Sequence, residues 1–167
     1  MNVVIYCDGA VKGNGQPGRI GMGAVLLQGL GTDPDGKTVS KSRLVSWGME
    51  LERATNIRAE LEAIYRSILL VKDEVVPRVS VTLYTDSEWS IRTLNGRYNS
   101  TAYPELRKRI LERLRQFKSW SLEYVPGHQG YRWNECADEL ASRQAGTWKK
   151  AGTQLPAGHE AIELEDE

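Results

Sequence analysis

The chain opens on Val3-Val4-Ile5-Tyr6-Cys7, an almost wholly apolar run that ends at Asp8. A run of that kind suits a strand buried on both faces, so structure must cover the sheet from either side. An ionised carboxylate at the edge of that interior is expensive unless something binds it. The same few residues therefore constrain both the architecture and the chemistry.

The rest of the chain alternates between the two periods of regular structure. A glycine-rich turn runs from Gly9 to Gly18. Ile20–Gln28 and Val39–Glu50 read as strands joined around Thr32-Asp33-Pro34-Asp35-Gly36, completing an antiparallel meander with the first. From Thr55, a suitable N-cap, to about Lys72, the spacing of Leu61, Ile64, Ile68 and Leu69 predicts a helix. Val79–Thr85 alternates apolar and polar residues as a strand does. Ser87–Asn95 and Pro104–Lys118 read as helices, Ser121–Val125 as a strand, and Asn134–Ala145 as a last helix. Asn134 is its expected cap, with Cys136, Ala137, Leu140 and Ala141 as its buried stripe. The order βββαβααβα predicts an α/β domain, a mixed sheet with helices packed on it. The expected division is a domain over 1–146 and an acidic, mobile tail over 147–167, rich in Gly and Pro.

Composition excludes several classes. No apolar run approaches the roughly 20 residues of a membrane span. The N-terminus enters the first strand without a basic region or cleavage site, so a cytoplasmic protein without membrane association is expected. Two cysteines, Cys7 and Cys136, argue against a disulfide framework and a cysteine zinc site. Cys7 alternates with Asp8 and should face the other side of the sheet. The net charge of zero hides an asymmetry, because residues 151–167 hold five acids and no Lys or Arg. Residues 1–150 carry 22 basic side chains against 17 acidic ones. Arg92, Arg97, Arg107, Lys108, Arg109, Arg113, Arg115 and Lys118 make one basic stretch, which either attracts phosphate or is a solvated helix face. The tail acids are either a solvated end or a polyanion mimic folded on the basic body.

Gly13-Asn14-Gly15-Gln16-Pro17-Gly18 fits G-x-G-x-x-G after a strand. That motif must open a helix to hold a pyrophosphate, and here it runs into an extended segment with Pro17 inside the turn. A dinucleotide site is set aside.

The acids are more informative. Asp8 and Asp86 each end a strand, where a sheet of this type opens to ligands. Glu60 and Asp138 lie early in their helices. Four carboxylates could converge on one end of the sheet, where they would repel one another unless divalent cations neutralised them; hard oxygen donors suit Mg²⁺ or Mn²⁺. Each has a structural alternative: Asp86 as a helix cap, Glu60 as a first-turn acid, Asp138 paired with Arg143. Composition and periodicity leave these open.

Local context adds a resemblance. Tyr6-Cys7-Asp8-Gly9-Ala10, Thr55-Asn56-Ile57-Arg58-Ala59-Glu60-Leu61, Tyr84-Thr85-Asp86-Ser87, and Val125-Pro126-Gly127-His128-Gln129-Gly130 with Asn134-Glu135-Cys136-Ala137-Asp138 occur in that order. With these motifs the chain resembles ribonuclease H of type 1 from Tyr6 to about Ala145. The resemblance implies the ribonuclease H-like fold, a five-stranded mixed sheet of three antiparallel strands then two parallel, flanked by helices, and endonucleolytic hydrolysis of the RNA strand of RNA–DNA hybrids, leaving 5′-phosphates. It implies two Mg²⁺ ions about 4 Å apart, replaceable by Mn²⁺. Asp8 would bridge them, with Glu60 and Asp86 completing one site and Asp138 the other. His128 would act near the attacking water or in product release; its alternative is a plain loop histidine. Glu135 would help metals or product depart, or support the helix start, and Asn134 beside it is a further substrate-binding candidate. His159 is assigned nothing.

Asn14, Asn56 and Glu60 would meet the RNA, Arg53 and Thr55 a phosphate of the DNA strand, and Trp89 the DNA sugars unless it only closes the core. The enzyme would work as a monomer with no obligatory protein partner. Three departures stand out. Glu88 replaces an uncharged residue facing the RNA, and Ile57 a polar residue beside Asn56. The segment between Ser87 and Leu106 lacks the basic protrusion of many bacterial members, for which Arg97, Arg107, Lys108 and Arg109 could substitute in part. Weak, salt-sensitive substrate binding is expected. The competing readings are a DNA-cutting resolvase or integrase of the same fold and a catalytically silent binding module. Asn14, Arg53, Thr55 and His128 argue against the first, and the four intact acids against the second.

Overall fold

The computed structural model describes residues 1–28, 41–127, 132–155 and 162–165. The turn expected around Thr32–Gly36, and both His128 and His159, lie outside these residues. The first strand, β1 (Asn2–Lys12), is buried on both faces as its composition requires. On one face Ile5 and Cys7 join a core that includes Ile64, Ile68, Ile110 and Leu114. On the other, Tyr6 packs with Val25, Leu27, Leu44, Trp133 and Leu140, and its ring stacks on Tyr84 at 4.9 Å.

β1 pairs antiparallel with β2 (Gln16–Gln28), and β2 with β3 (Lys41–Ala54). On its other side β1 pairs parallel with β4 (Ser80–Thr85), which pairs parallel with β5 (Ser119–Tyr124). These five strands make the mixed sheet that the residue pattern predicts. A short β6 (Ile162–Glu165) lies parallel on the outer side of β3, giving the order β5-β4-β1-β2-β3-β6. The sheet is flanked by α1 (Asn56–Ile68), α2 (Glu88–Leu94), α3 (Pro104–Leu114) and α4 (Arg132–Ala145).

The ends of the helices explain where they sit. Thr55 caps α1, its hydroxyl accepting from Arg58 N at 3.1 Å. At the other end of α1, the buried Arg113 of α3 donates to the carbonyls of Ile68 and Val71 and pairs with Asp73, joining the two helices. α4 begins at Arg132, so Asn134 lies inside its first turn and is not the expected cap.

The chain past Gly146 does not stand wholly apart. Gln154 N and the Thr153 hydroxyl both donate to the buried Glu139 carboxylate on α4, which Arg143 also pairs. Cys136 Sγ donates to Gln154 O. The described residues 153–154 and β6 thus lie against α4 and β3, the first because α4 supplies a buried acid whose partners are on that segment.

Candidate active site

Asp8 is not at the end of its strand. β1 continues to Lys12 against β2, but its pairing with β4 stops at Tyr6 opposite Tyr84. The sheet therefore splits just before Asp8, and the split provides the opening that a strand end was expected to give. Asp86 follows the last residue of β4. Glu60 reaches the same place from α1, because Gly9 lets β1 and α1 touch: a Cβ there would collide with the Ala59 carbonyl and Glu60 N.

Asp8, Glu60 and Asp86 each offer a carboxylate oxygen, all within 4.8 Å of one another. Asp8 and Glu60 are buried, and Glu60 Oε2 has no hydrogen-bond partner. Burial first, then the charges of Glu60, Asp86 and Asp138, hold the Asp8 carboxyl well above the ordinary carboxylate range, against one bond from Gly9 N. Burial and then Asp86 push Glu60 up in the same way. Asp138 is outside the tight group of three, yet its charge acts on both Asp8 and Glu60. Oxygen donors this close, one of them buried without a partner, fit a hard divalent cation.

The structural alternatives for these acids weaken. Ser87, not Asp86, caps α2, its hydroxyl accepting from Ser90 N at 3.2 Å. Arg143 pairs with Glu139 and not with Asp138, whose Oδ1 lies 3.4 Å from Ser142 Oγ. Glu60 stands buried in the second turn of α1, away from the end where the helix dipole is felt.

Four of the substrate candidates fall into two pairs. Asn14 Oδ1 accepts from Asn56 N at 3.0 Å, so the two asparagines meet at the surface. Arg53 and Thr55 line a groove of about 640 Å³ with Ile57, Arg58 and Tyr103. Trp89 is half-buried and packs against the core, as its structural alternative requires. Glu88 is exposed in the first turn of α2, Glu135 is half-buried and Asn134 is buried. Arg107 is not a free phosphate donor: its guanidinium donates to the carbonyls of Ala102 and Ser100. Lys108 and Arg109 remain exposed.

Gly127 is a site residue to which the sequence attached no role. A Cβ there would lie 2.7 Å from Asp86 Oδ2. Its place in a Pro-Gly turn just before the last motif was the available signal.

A mixed sheet that splits beside a partly buried trio of carboxylates places together a group of oxygen donors that could hold a metal ion. The family model for RNase H matches residues 1–146, and the chain belongs to that family. The ribonuclease H of Cupriavidus necator is 35% identical over 155 residues, covering 86% of this chain and 94% of that protein. The crystal structure of RNase H1 from Halobacterium salinarum superposes with a TM-score of 0.65 at 31% identity, covering 86% of this chain and 97% of that one. LC11-RNase H1, solved in complex with an RNA/DNA hybrid, shares the fold at a TM-score of 0.63 and 23% identity. Among the described residues, no helix is long and apolar enough to cross a membrane.

Proposed function

We propose that this protein hydrolyses the RNA strand of RNA–DNA hybrids, cutting internally and leaving 5′-phosphates. The observation that carries the reading is the Asp8, Glu60 and Asp86 trio within 4.8 Å, with a buried Glu60 oxygen lacking any partner. Family membership over residues 1–146 directs that metal chemistry toward RNA.

Asp8, Glu60, Asp86 and Asp138 would hold two Mg²⁺ ions, or Mn²⁺ in their place. Such ions lower the pKa of an attacking water and stabilise the leaving 3′-oxygen, so no nucleophilic side chain is needed. Asp8 suits the shared position because β1 is paired through it to β2 and buried on both faces. Glu60 approaches it from α1, Asp86 from the end of β4 and Asp138 from α4. His128 is proposed to assist near the attacking water, and Glu135 and Asn134 to serve substrate binding or release beside Asp138. Asn14 and Asn56, already joined, would contact the RNA strand, where 2′-hydroxyls distinguish it from DNA. Arg53 and Thr55 would bind a phosphate of the DNA strand in their groove, and the exposed part of Trp89 would pack on its sugars.

The test is a labelled RNA–DNA hybrid incubated with Mg²⁺ or Mn²⁺ beside duplex DNA and duplex RNA, with Asp8→Asn in parallel. Cleavage confined to the hybrid and abolished in Asp8→Asn is expected. Cleavage that survives Asp8→Asn would remove the metal mechanism, cutting of duplex DNA would favour a resolvase-like enzyme, and binding without cutting would leave a silent module.

A further inference from the structure

The groove holding Arg53 and Thr55 is closed on its far side by Tyr103, the residue before α3. Tyr103 is the only described non-glycine residue with positive φ, at φ 48° and ψ 54°. A bulky side chain adopts that conformation only where its surroundings impose it, and such residues concentrate at functional sites. Two side-chain contacts accompany it here. The Tyr103 hydroxyl lies 2.5 Å from Thr55 Oγ1, and the Arg58 guanidinium lies 5.9 Å from the centre of its ring. Arg58 is itself steadied by Glu62, which accepts from its Nε at 3.1 Å.

A count of hydrogens gives the arrangement a purpose. Thr55 Oγ1 has one hydrogen and two lone pairs, and one lone pair already accepts from Arg58 N. If Tyr103 donates to the second, the Thr55 hydrogen is free to point into the groove. If Thr55 donates instead, the Tyr103 hydrogen is free. The hydroxyl pair thus keeps one oriented donor for an anion, beside the guanidiniums of Arg53 and Arg58, with Glu52 the acid on the same lining. The phenol is the more acidic partner, so the first arrangement is favoured.

We infer that Tyr103 is a positioning residue of the groove, orienting the Thr55 hydroxyl toward one phosphate of the bound DNA strand. The inference rests on the phosphate reading of Arg53 and Thr55 given above. Tyr103→Phe removes the hydroxyl and keeps the ring against Arg58, so its thermal midpoint should stay within about 2 °C of the parent.

The experiment scans a single neutral methylphosphonate along the DNA strand of a short hybrid and measures KM and kcat for both proteins. With the parent, neutralising one particular linkage should raise KM about tenfold. Tyr103→Phe should raise KM for the unmodified hybrid about three- to tenfold with kcat within about twofold, and should lose most of the penalty at that linkage. If the parent shows the sensitive linkage and Tyr103→Phe keeps both the parent KM and the full penalty, the role of Tyr103 is overturned while the groove stands. If no linkage is sensitive in the parent, the phosphate reading fails and the role of Tyr103 fails with it.

Discussion

Asp8 shows how much a single position can carry. Burial, and then the charge of Glu60, hold its carboxyl well above the ordinary range, so without cations ionising it costs the folded protein more than the unfolded chain. Stability is therefore lost as pH rises from the ordinary carboxylate range, about pH 4, through the raised folded value. Asp8→Asn removes that cost. Without divalent ions its thermal midpoint should exceed the parent's at pH 7 by roughly 4 °C, and the gain should vanish near about pH 4. Mg²⁺ should raise the parent's midpoint and leave that of Asp8→Asn nearly unchanged, which scanning calorimetry can read. Gly127 offers a complementary case, since it is not a ligand yet touches one. Gly127→Ala should displace the Asp86 carboxylate and lower hybrid cleavage by about 100-fold while the circular dichroism spectrum stays that of the parent. Unchanged cleavage would mean that Asp86 can yield without loss.

Among the elements, those with a strong period were legible from the residues. The apolar β1 run, the alternation of β4 and the stripe of α4 announced themselves. Their limits were not legible, because limits depend on partners. β1 reaches Lys12 because β2 accompanies it, and α4 starts at Arg132 although Asn134 is the better cap by type. Asp8, Glu60 and Asp86, which the structure brings together, stood out through motif context, yet Tyr103 and Gly127 did not, since what they touch exists only as contacts across the chain. Glu139 belongs to the same kind: next to Asp138, it reads as one more surface acid until its partners on 153–154 are seen. Burial works to raise its pKa and is outweighed by the bonds from Gln154, Thr153 and Arg143, so it is held below the usual value. A depressed acid stabilises above its unfolded pKa and loses that contribution as pH falls through the folded value. Glu139→Gln should cost about 1–3 kcal/mol in urea unfolding at pH 7, with the difference from the parent shrinking below about pH 4.

For the whole molecule, charge is distributed rather than large. Residues 1–150 carry the basic excess while the acids of 151–167 cancel it in the total. Electrostatic attraction to a hybrid should therefore dominate affinity, and raising salt from about 50 to 200 mM should weaken binding at least about tenfold. Replacing the exposed Lys108 and Arg109 by Gln should flatten that dependence; a slope unchanged by the double variant would remove α3 from the binding surface.

β6 lies along Val45–Gly48, where β3 would otherwise be the margin of the sheet. A bare margin offers unpaired amides and carbonyls to any extended segment that drifts past, including the same strand of a sister molecule. Four residues of the chain's own terminus occupy that ladder first, so shortening the chain after Leu155 should convert a well-behaved solution into one whose light scattering climbs with concentration.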